Sequence, residues 1–255
     1  MKSKVNGFVL STGRTGTVSI TKILNLDKNT YSIHEPRPSR RFHIFSRFLF
    51  EKKLSEAFIK KHYLKKRQRL FDRIEHKNYI EVNPFFWSAG HIFNNVKILH
   101  IVRDIESYIK SRLNFGAKGW HKHIIDYVPF YNIDVSKIDG YDIKNWNNLS
   151  KSEKETWRWI FINEKIEQNK GNSNYLRIKF EDIYLGDEKT KTIVLEQIAD
   201  FFSINLDIQE CLSLLGKKNN PSKKRRIAKF SDLDQGIQDN IFTISEDIRR
   251  RYQFI

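Results

Sequence analysis

A single cysteine, Cys211, in 255 residues excludes an internal disulfide framework and any zinc module built on thiolates, and it fits a reducing compartment. Prolines are scarce at five and glycines at eleven, so little punctuates the chain, and no internal repeat or long low-complexity segment is present. No run approaches the roughly 18 uninterrupted apolar residues of a membrane span, and the apolar segment after Met1-Lys2-Ser3-Lys4 is read as neither signal peptide nor anchor. The expectation is a cytoplasmic protein. Acidic residues are outnumbered, 30 against 46 Lys and Arg, which leaves a net charge of +16 and a surface that attracts nucleic acid, phosphate or sulfate ligands, or an acidic membrane. Aromatic mass is plentiful: 19 Phe, 10 Tyr and 5 Trp are too many for a disordered chain despite the charge. The length suits one domain over 1–255 with elaborations.

Hydrophobic period alternates along the chain. Val5 to Leu10 is a short apolar run that ends in Ser-Thr-Gly-Arg-Thr-Gly-Thr, after which Val18, Ile20, Ile23 and Leu24 share a helical face. Lys97 to Val102 repeats the unit, followed by Arg103-Asp104 and by Ile105, Tyr108, Ile109 and Leu113 at helical spacing. Tyr79 to Val82 and Tyr175 to Phe180 read as further strands, the second leading to a helix with Ile193, Val194, Ile198, Phe201 and Phe202. Strands alternating with helices predict an α/β fold, a central parallel sheet of about five strands flanked by helices on both faces. Two regions interrupt the alternation. Residues 40–76 form a helical elaboration in which Arg40 to Ile74 reads as one long helix, and residues 116–152 form an aromatic-rich insertion carrying Trp120, Tyr127, Phe130, Tyr131, Tyr141 and Trp146. The tail from Asp232 to Ile255 reads as helix.

The loop after the first strand is the first candidate site. A glycine-bearing loop that feeds a helix offers backbone N–H groups to an anion beyond the carboxyl end of a parallel strand. Thr12, Gly13, Arg14, Thr15, Gly16, Thr17 and Val18 meet that description, but the Gly-Lys-[ST] ending of an ATPase loop is absent. A plain glycine turn is the bland alternative; Arg14 between two glycines favours the anion. Arg103 at the end of a strand and Ser111 eight residues later, about two helical turns on, can together grip one phosphate. The competing account has Asp104 as a helix cap and Arg103 solvated.

Taken jointly, Ser11-Thr-Gly-Arg-Thr-Gly-Thr17, Lys97-Ile-Leu-His-Ile-Val-Arg-Asp104 with Ser111, and Leu176-Arg-Ile-Lys-Phe-Glu-Asp-Ile183 resemble the sulfotransferase family. Tyr79-Ile-Glu-Val-Asn-Pro84, and Trp157 with Asn163 ahead of Phe180-Glu-Asp182, are similar to further segments of that family, so the resemblance covers roughly residues 5 to 205. It implies a P-loop NTPase-like three-layer fold and 3′-phosphoadenosine 5′-phosphosulfate (PAPS) as donor, leaving PAP as product, with no metal. It also implies that the loop through Ser19 holds the 5′-phosphosulfate while Arg103 and Ser111 hold the 3′-phosphate. Departures are Arg14 where many cytosolic members carry Lys, Ile105 where Pro is usual, and no evident Arg-Lys-Gly motif near the C-terminus; Lys217 to Pro221 is a candidate to supply those last nucleotide contacts.

Sulfuryl transfer requires donors on the charge that develops and a base for the acceptor proton. Arg14 with the loop amides would stabilise the leaving group. Three residues compete for the base. Glu35, in Ser32-Ile-His-Glu-Pro36, stands where related branches place a catalytic glutamate, Glu81 lies 22 positions before Arg103, and His34 has a suitable unperturbed pKa. Glu81 could instead position substrate, and Glu35 could be a solvated partner of Arg37 or Arg40. Arg37, Trp120 and His121 are candidates to contact the acceptor. His121 and His123 lack further ligands at metal spacing.

Lys60 to Arg69 holds six Lys or Arg, and Lys217 to Lys229 holds seven. They are either solvated faces or attractors of an anionic donor and acceptor. The aromatic and basic stretch Phe42 to Leu64 reads as core or as a membrane-surface contact, which would put the protein peripherally on the inner membrane face. The expected reaction is sulfuryl transfer from PAPS to a hydroxyl or amine of a carbohydrate or glycolipid. The alternatives are an ATP-dependent small-molecule kinase and a basic nucleic-acid-binding protein; no recognisable nucleic-acid module is present, so no specific nucleic-acid partner is expected.

Overall fold

The structure is a computed structural model that describes residues 5–74, 77–93, 95–114, 133–170, 174–216 and 229–255. Along the chain run β1 (Val5–Leu10), α1 (Thr17–Leu24), β2 (Thr30–His34), α2 (Ser39–Phe50), α3 (Glu56–Arg73), β3 (Asn78–Val82), α4 (Ala89–Ile92), β4 (Lys97–Val102) and α5 (Ile105–Leu113). They are followed by α6 (Lys151–Glu167), β5 (Tyr175–Lys179), α7 (Phe180–Tyr184), α8 (Glu188–Phe202), α9 (Ile208–Gly216) and α10 (Gln235–Arg251). The chain divides into two compact units, Met1–Val102 with Lys165–Pro221, and Arg103–Glu164 with Ser222–Ile255.

The first unit holds one sheet of five parallel strands in the order β2-β3-β1-β4-β5, the predicted α/β architecture. Successive side chains on a strand point to opposite faces, so register decides which layer each residue enters. Val9, Ile80, Val82, Leu99, Ile101 and Ile178 join Ile20, Ile23 and Leu24 of α1 and Val194, Leu195, Ile198 and Phe202 of α8 in one aliphatic core. Phe8, one residue out of phase with Val9, enters an aromatic layer instead, with Tyr63 of α3, Phe86 and Phe93 at ring separations of 5.8, 5.7 and 5.5 Å. Glu81 pairs with Phe8 in register and therefore enters that same layer.

Strand β2 adds to the four strands read from the sequence. Its Thr-Tyr-Ser-Ile-His is only half-buried, as suits a strand at the sheet edge. The Asn25 side chain lies along that edge, accepting from the Ser32 N–H and donating to the Ser32 carbonyl, each at 2.8 Å.

The single helix expected over Arg40 to Ile74 is two helices. α2 stops where Lys52 takes a left-handed backbone (φ 56°), and the N–H groups of Lys52 and Lys53 close back on the carbonyls of Leu49 and Phe48. α3 restarts at Ser55, whose side chain accepts from the Phe58 N–H. Within the stretch read as core or membrane contact, Phe42 is fully buried and packs on Phe86 and Tyr63, which makes it core. No helix among the described residues is long and apolar enough to cross a membrane.

The second unit contains α5, α10 and most of α6. Glu155 on α6 is buried between Arg112 of α5, at 3.0 Å, and Arg158, at 2.7 Å. Burial alone would raise its pKa, but the two guanidiniums outweigh that and hold the carboxyl at about 2. Of the aromatic insertion, Tyr141 donates to Glu164 and packs edge-on against Phe161. Trp120, His121, His123, Tyr127, Phe130 and Tyr131 lie outside the described residues, as do Lys217 to Pro221.

Candidate active site

The loop from Ser11 to Gly16 is built around one hydroxyl. Ser11 Oγ, fully buried, accepts from the Gly13 N–H at 3.1 Å and from the Thr15 hydroxyl at 2.8 Å. Gly13 (φ 82°), Arg14 (φ 60°) and Gly16 (φ 69°) all have left-handed backbones, a conformation that costs a non-glycine residue such as Arg14 on the order of 1 kcal/mol. Successive turns of this kind aim amides into one concavity. Among the described residues nothing accepts from the N–H groups of Thr15, Gly16, Thr17 and Val18, and the buried Thr12 hydroxyl has no partner. These groups face the start of α1, where the helix dipole favours an anion. The residues present therefore fit a phosphate or sulfate group.

Tyr184, which sequence reasoning did not single out, closes the loop from behind. Its hydroxyl donates to the Gly16 carbonyl at 2.7 Å, and its ring stacks on Phe180 at 4.6 Å. A Cβ on Gly16 would come within 2.2 Å of that ring, so glycine is required there for close approach as well as for backbone conformation. The signal in the sequence was the four-residue spacing of Phe180 and Tyr184 after a strand.

Register brings His34 to the same place, and Glu35, just past the strand, lies beside it. His34 pairs with Val82 and so faces the α1 side of the sheet, where its Nε2 lies 2.9 Å from the Thr17 hydroxyl and 3.5 Å from Glu35 Oε1. Burial lowers the imidazole pKa and Glu35 partly restores it, so the neutral ring dominates at neutral pH. Glu35 stands just past β2 with a left-handed backbone (φ 46°), its N–H donating to the Val82 carbonyl at 3.0 Å, and its side chain is one-third exposed. The side chain that the geometry sets beside it is His34, in place of the Arg37 or Arg40 considered from sequence.

Glu81 is employed differently. It is fully buried and accepts from Tyr79 (2.6 Å), Asn83 (2.7 Å), Tyr63 (2.9 Å) and both arms of Arg67 (2.8 and 3.1 Å). The lone pairs of this carboxylate are committed within the protein, and it faces the aromatic layer while His34 faces the loop. Arg67 belongs to the basic run that the sequence leaves open as a solvated face or an attractor of anions. Lys61, Lys65, Lys66 and Arg69 do stand exposed, but Arg67 lies on the buried stripe Ile59, Tyr63, Arg67, Phe71 at four-residue spacing. Its Nη1 and Nη2 also donate to the carbonyls of Arg37 (2.8 Å) and Pro36 (3.0 Å), while Arg37 itself is exposed.

In the second unit, Arg103 stands two residues before α5, ahead of the N-cap Asp104. Its Nε donates to Ser107 Oγ at 2.8 Å, and Trp159 Nε1 donates to its carbonyl at 3.1 Å. Asp104 caps the helix and pairs with Arg249 at 3.2 Å, so the capping account of Asp104 holds without leaving Arg103 merely solvated. Ser107 and Ser111, one turn apart, lie on one face of α5 with Arg103 at its head. Ser107 is an addition to the sequence reading. No group of three or more His, Cys, Asp or Glu among the described residues is placed to hold a metal ion.

No protein-family model matches the chain, and no curated protein matches it in sequence. Solved structures do match. The sulfotransferase domain from the Synechococcus PCC 7002 olefin synthase is similar at 16% identity with a TM-score of 0.52, covering 97% of this chain and 96% of that one. A mouse sulfotransferase complexed with PAP is similar at 14% identity with a TM-score of 0.52, covering 97% of this chain and 85% of that one. The fold of this chain is thus that of the sulfotransferases, a parallel α/β sheet flanked by helices.

Proposed function

We propose that the protein is a sulfotransferase that moves a sulfuryl group from PAPS to a hydroxyl or amine acceptor of the carbohydrate or glycolipid class. The observation that carries this reading is the loop: left-handed Gly13, Arg14 and Gly16, unengaged amides from Thr15 to Val18, and a buried, partnerless Thr12 hydroxyl, in a sulfotransferase fold. On this reading the loop amides and Arg14 hold the phosphosulfate, and Arg103 with Ser107 and Ser111 takes the 3′-phosphate as a charge-assisted cluster. The acceptor oxygen bonds to sulfur as the bond from sulfur to the bridging phosphate oxygen breaks. The electron pair leaves with PAP and the acceptor proton passes to Glu35.

Glu35 is favoured as base over Glu81 because it is solvent-accessible and close to the loop through His34 and Thr17, whereas the lone pairs of Glu81 are committed. His34 then orients Thr17 and Glu35. Arg37, exposed beside Glu35, is a candidate acceptor contact, with Trp120 and His121 completing the set by resemblance alone.

The test is thermal stabilisation by PAP beside ADP, ATP with magnesium, and AMP, in the wild type and Arg103→Ala. Ligand at 100 times its dissociation constant should add roughly 2.7 kcal/mol. The expected outcome is selective stabilisation by PAP that Arg103→Ala abolishes. Preference for ATP with magnesium would favour a kinase, and indifference to every nucleotide would favour a basic binding protein.

A further inference from the structure

We propose that Arg67 is a positioning residue for the base: through its buried pair with Glu81 it fixes the Glu35-Pro36-Arg37 turn and so sets where the Glu35 carboxylate stands. The proposal rests on the reading of Glu35 as base. A guanidinium presents five N–H groups in a rigid fork, and this one spends them in two directions. Toward β3, Nε and Nη2 grip the two oxygens of Glu81. Toward the turn, Nη1 and Nη2 grip the carbonyls of Arg37 and Pro36, the two residues that follow Glu35.

Glu35 itself needs such restraint. Its left-handed backbone (φ 46°) is unfavourable for a residue with a Cβ and persists only where neighbours over-determine it. Its own N–H is tied to Val82 O, so β3 holds the residue from both sides, directly through that amide and indirectly through Glu81 and Arg67. Tyr63, Tyr79 and Asn83 satisfy the remaining lone pairs of Glu81, which keeps a charge buried to zero exposure from moving. Two apolar residues of the same volume would fill this layer as well, since a buried ion pair is a weak stabiliser. What such a pair cannot do is donate to two carbonyls, and that is the task left for Arg67.

The test uses the full chain with PAPS hydrolysis as the reaction, water standing in for the acceptor. The variants are Glu35→Gln, the charge-free pair Arg67→Met/Glu81→Met, and the combination of all three substitutions. Each is first required to melt cooperatively and to be stabilised by PAP as the wild type is. The expected result is that the charge-free pair loses about 10- to 100-fold in kcat with KM for PAPS unchanged, the scale of loss that small misplacement of a reacting group produces. In the Glu35→Gln background the same pair of substitutions should cost nothing further, because its effect passes through Glu35.

Multiplicative losses in that background, or an unchanged kcat in the charge-free pair, would overturn the proposal while leaving Glu35 as base. Full activity in Glu35→Gln with PAP still bound would overturn the base reading and the positioning role together. Should the charge-free pair not fold, Arg67→Lys asks the same question: one ammonium cannot span Glu81 and two carbonyls, so a wild-type kcat there would also overturn it.

Discussion

Arg14 combines a left-handed backbone with an exposed cationic side chain, between two glycines that adopt the same conformation without cost. Substitution to Ala keeps the Cβ and hence the backbone strain, so what changes is the charge. If Arg14 acts on the negative charge that builds on the leaving phosphate, Arg14→Ala should lower kcat by about 10²-fold and leave PAP affinity within a few-fold, read by turnover beside thermal shift. The loop itself was legible from sequence because glycine spacing after an apolar strand is a local signal. Glu35 and His34 were legible only as candidates. What separates His34 from Glu81 is the phase of two strands, since Ile33 pairs with Glu81 and His34 with Val82, and Glu35 stands beside His34 because its left-handed backbone breaks the alternation just past the strand. Phase is a property of pairing that no single strand spells out. Arg67 was hidden for a related reason: among six basic residues in ten, only the four-residue spacing from Tyr63 to Phe71 marks the one that turns inward.

At the scale of elements, strands with continuous apolar runs and helices with clear faces were readable, while β2 and the break between α2 and α3 were not. β2 has too few apolar residues to announce itself, and the break depends on Lys52 accepting a conformation usually left to glycine. The helices of the second unit are joined by charge as well as by apolar packing. Glu155 has a folded pKa near 2, below its ordinary value, so its stabilising contribution is complete above about pH 5 and is lost as pH falls toward 2. The full linkage is on the order of 3 kcal/mol. Glu155→Gln should therefore be markedly less stable than wild type at pH 6, by urea titration, and the gap should close as the pH approaches 2. A gap that stays constant with pH would assign Glu155 a packing role only.

For the whole molecule, a net charge of +16 gives a long-range field distinct from any fitted site. Non-specific retention on DNA should be strong at low salt and vanish by about 0.5 M, where the Debye length is only a few ångströms. If PAP is held as proposed, its stabilisation should survive that salt, because contacts in a built site act at short range. Equal loss of both in a salt titration would mean that the field, and no built site, binds the nucleotide. The sheet carries one more consequence for the molecule in a crowded solution. An open edge strand invites another chain to add to it, and β2 is such an edge. Asn25 occupies the outward N–H and carbonyl of Ser32 midway along the strand, so an incoming strand meets no continuous ladder. A single side-chain amide thus obstructs strand addition at the edge that also carries the proposed base.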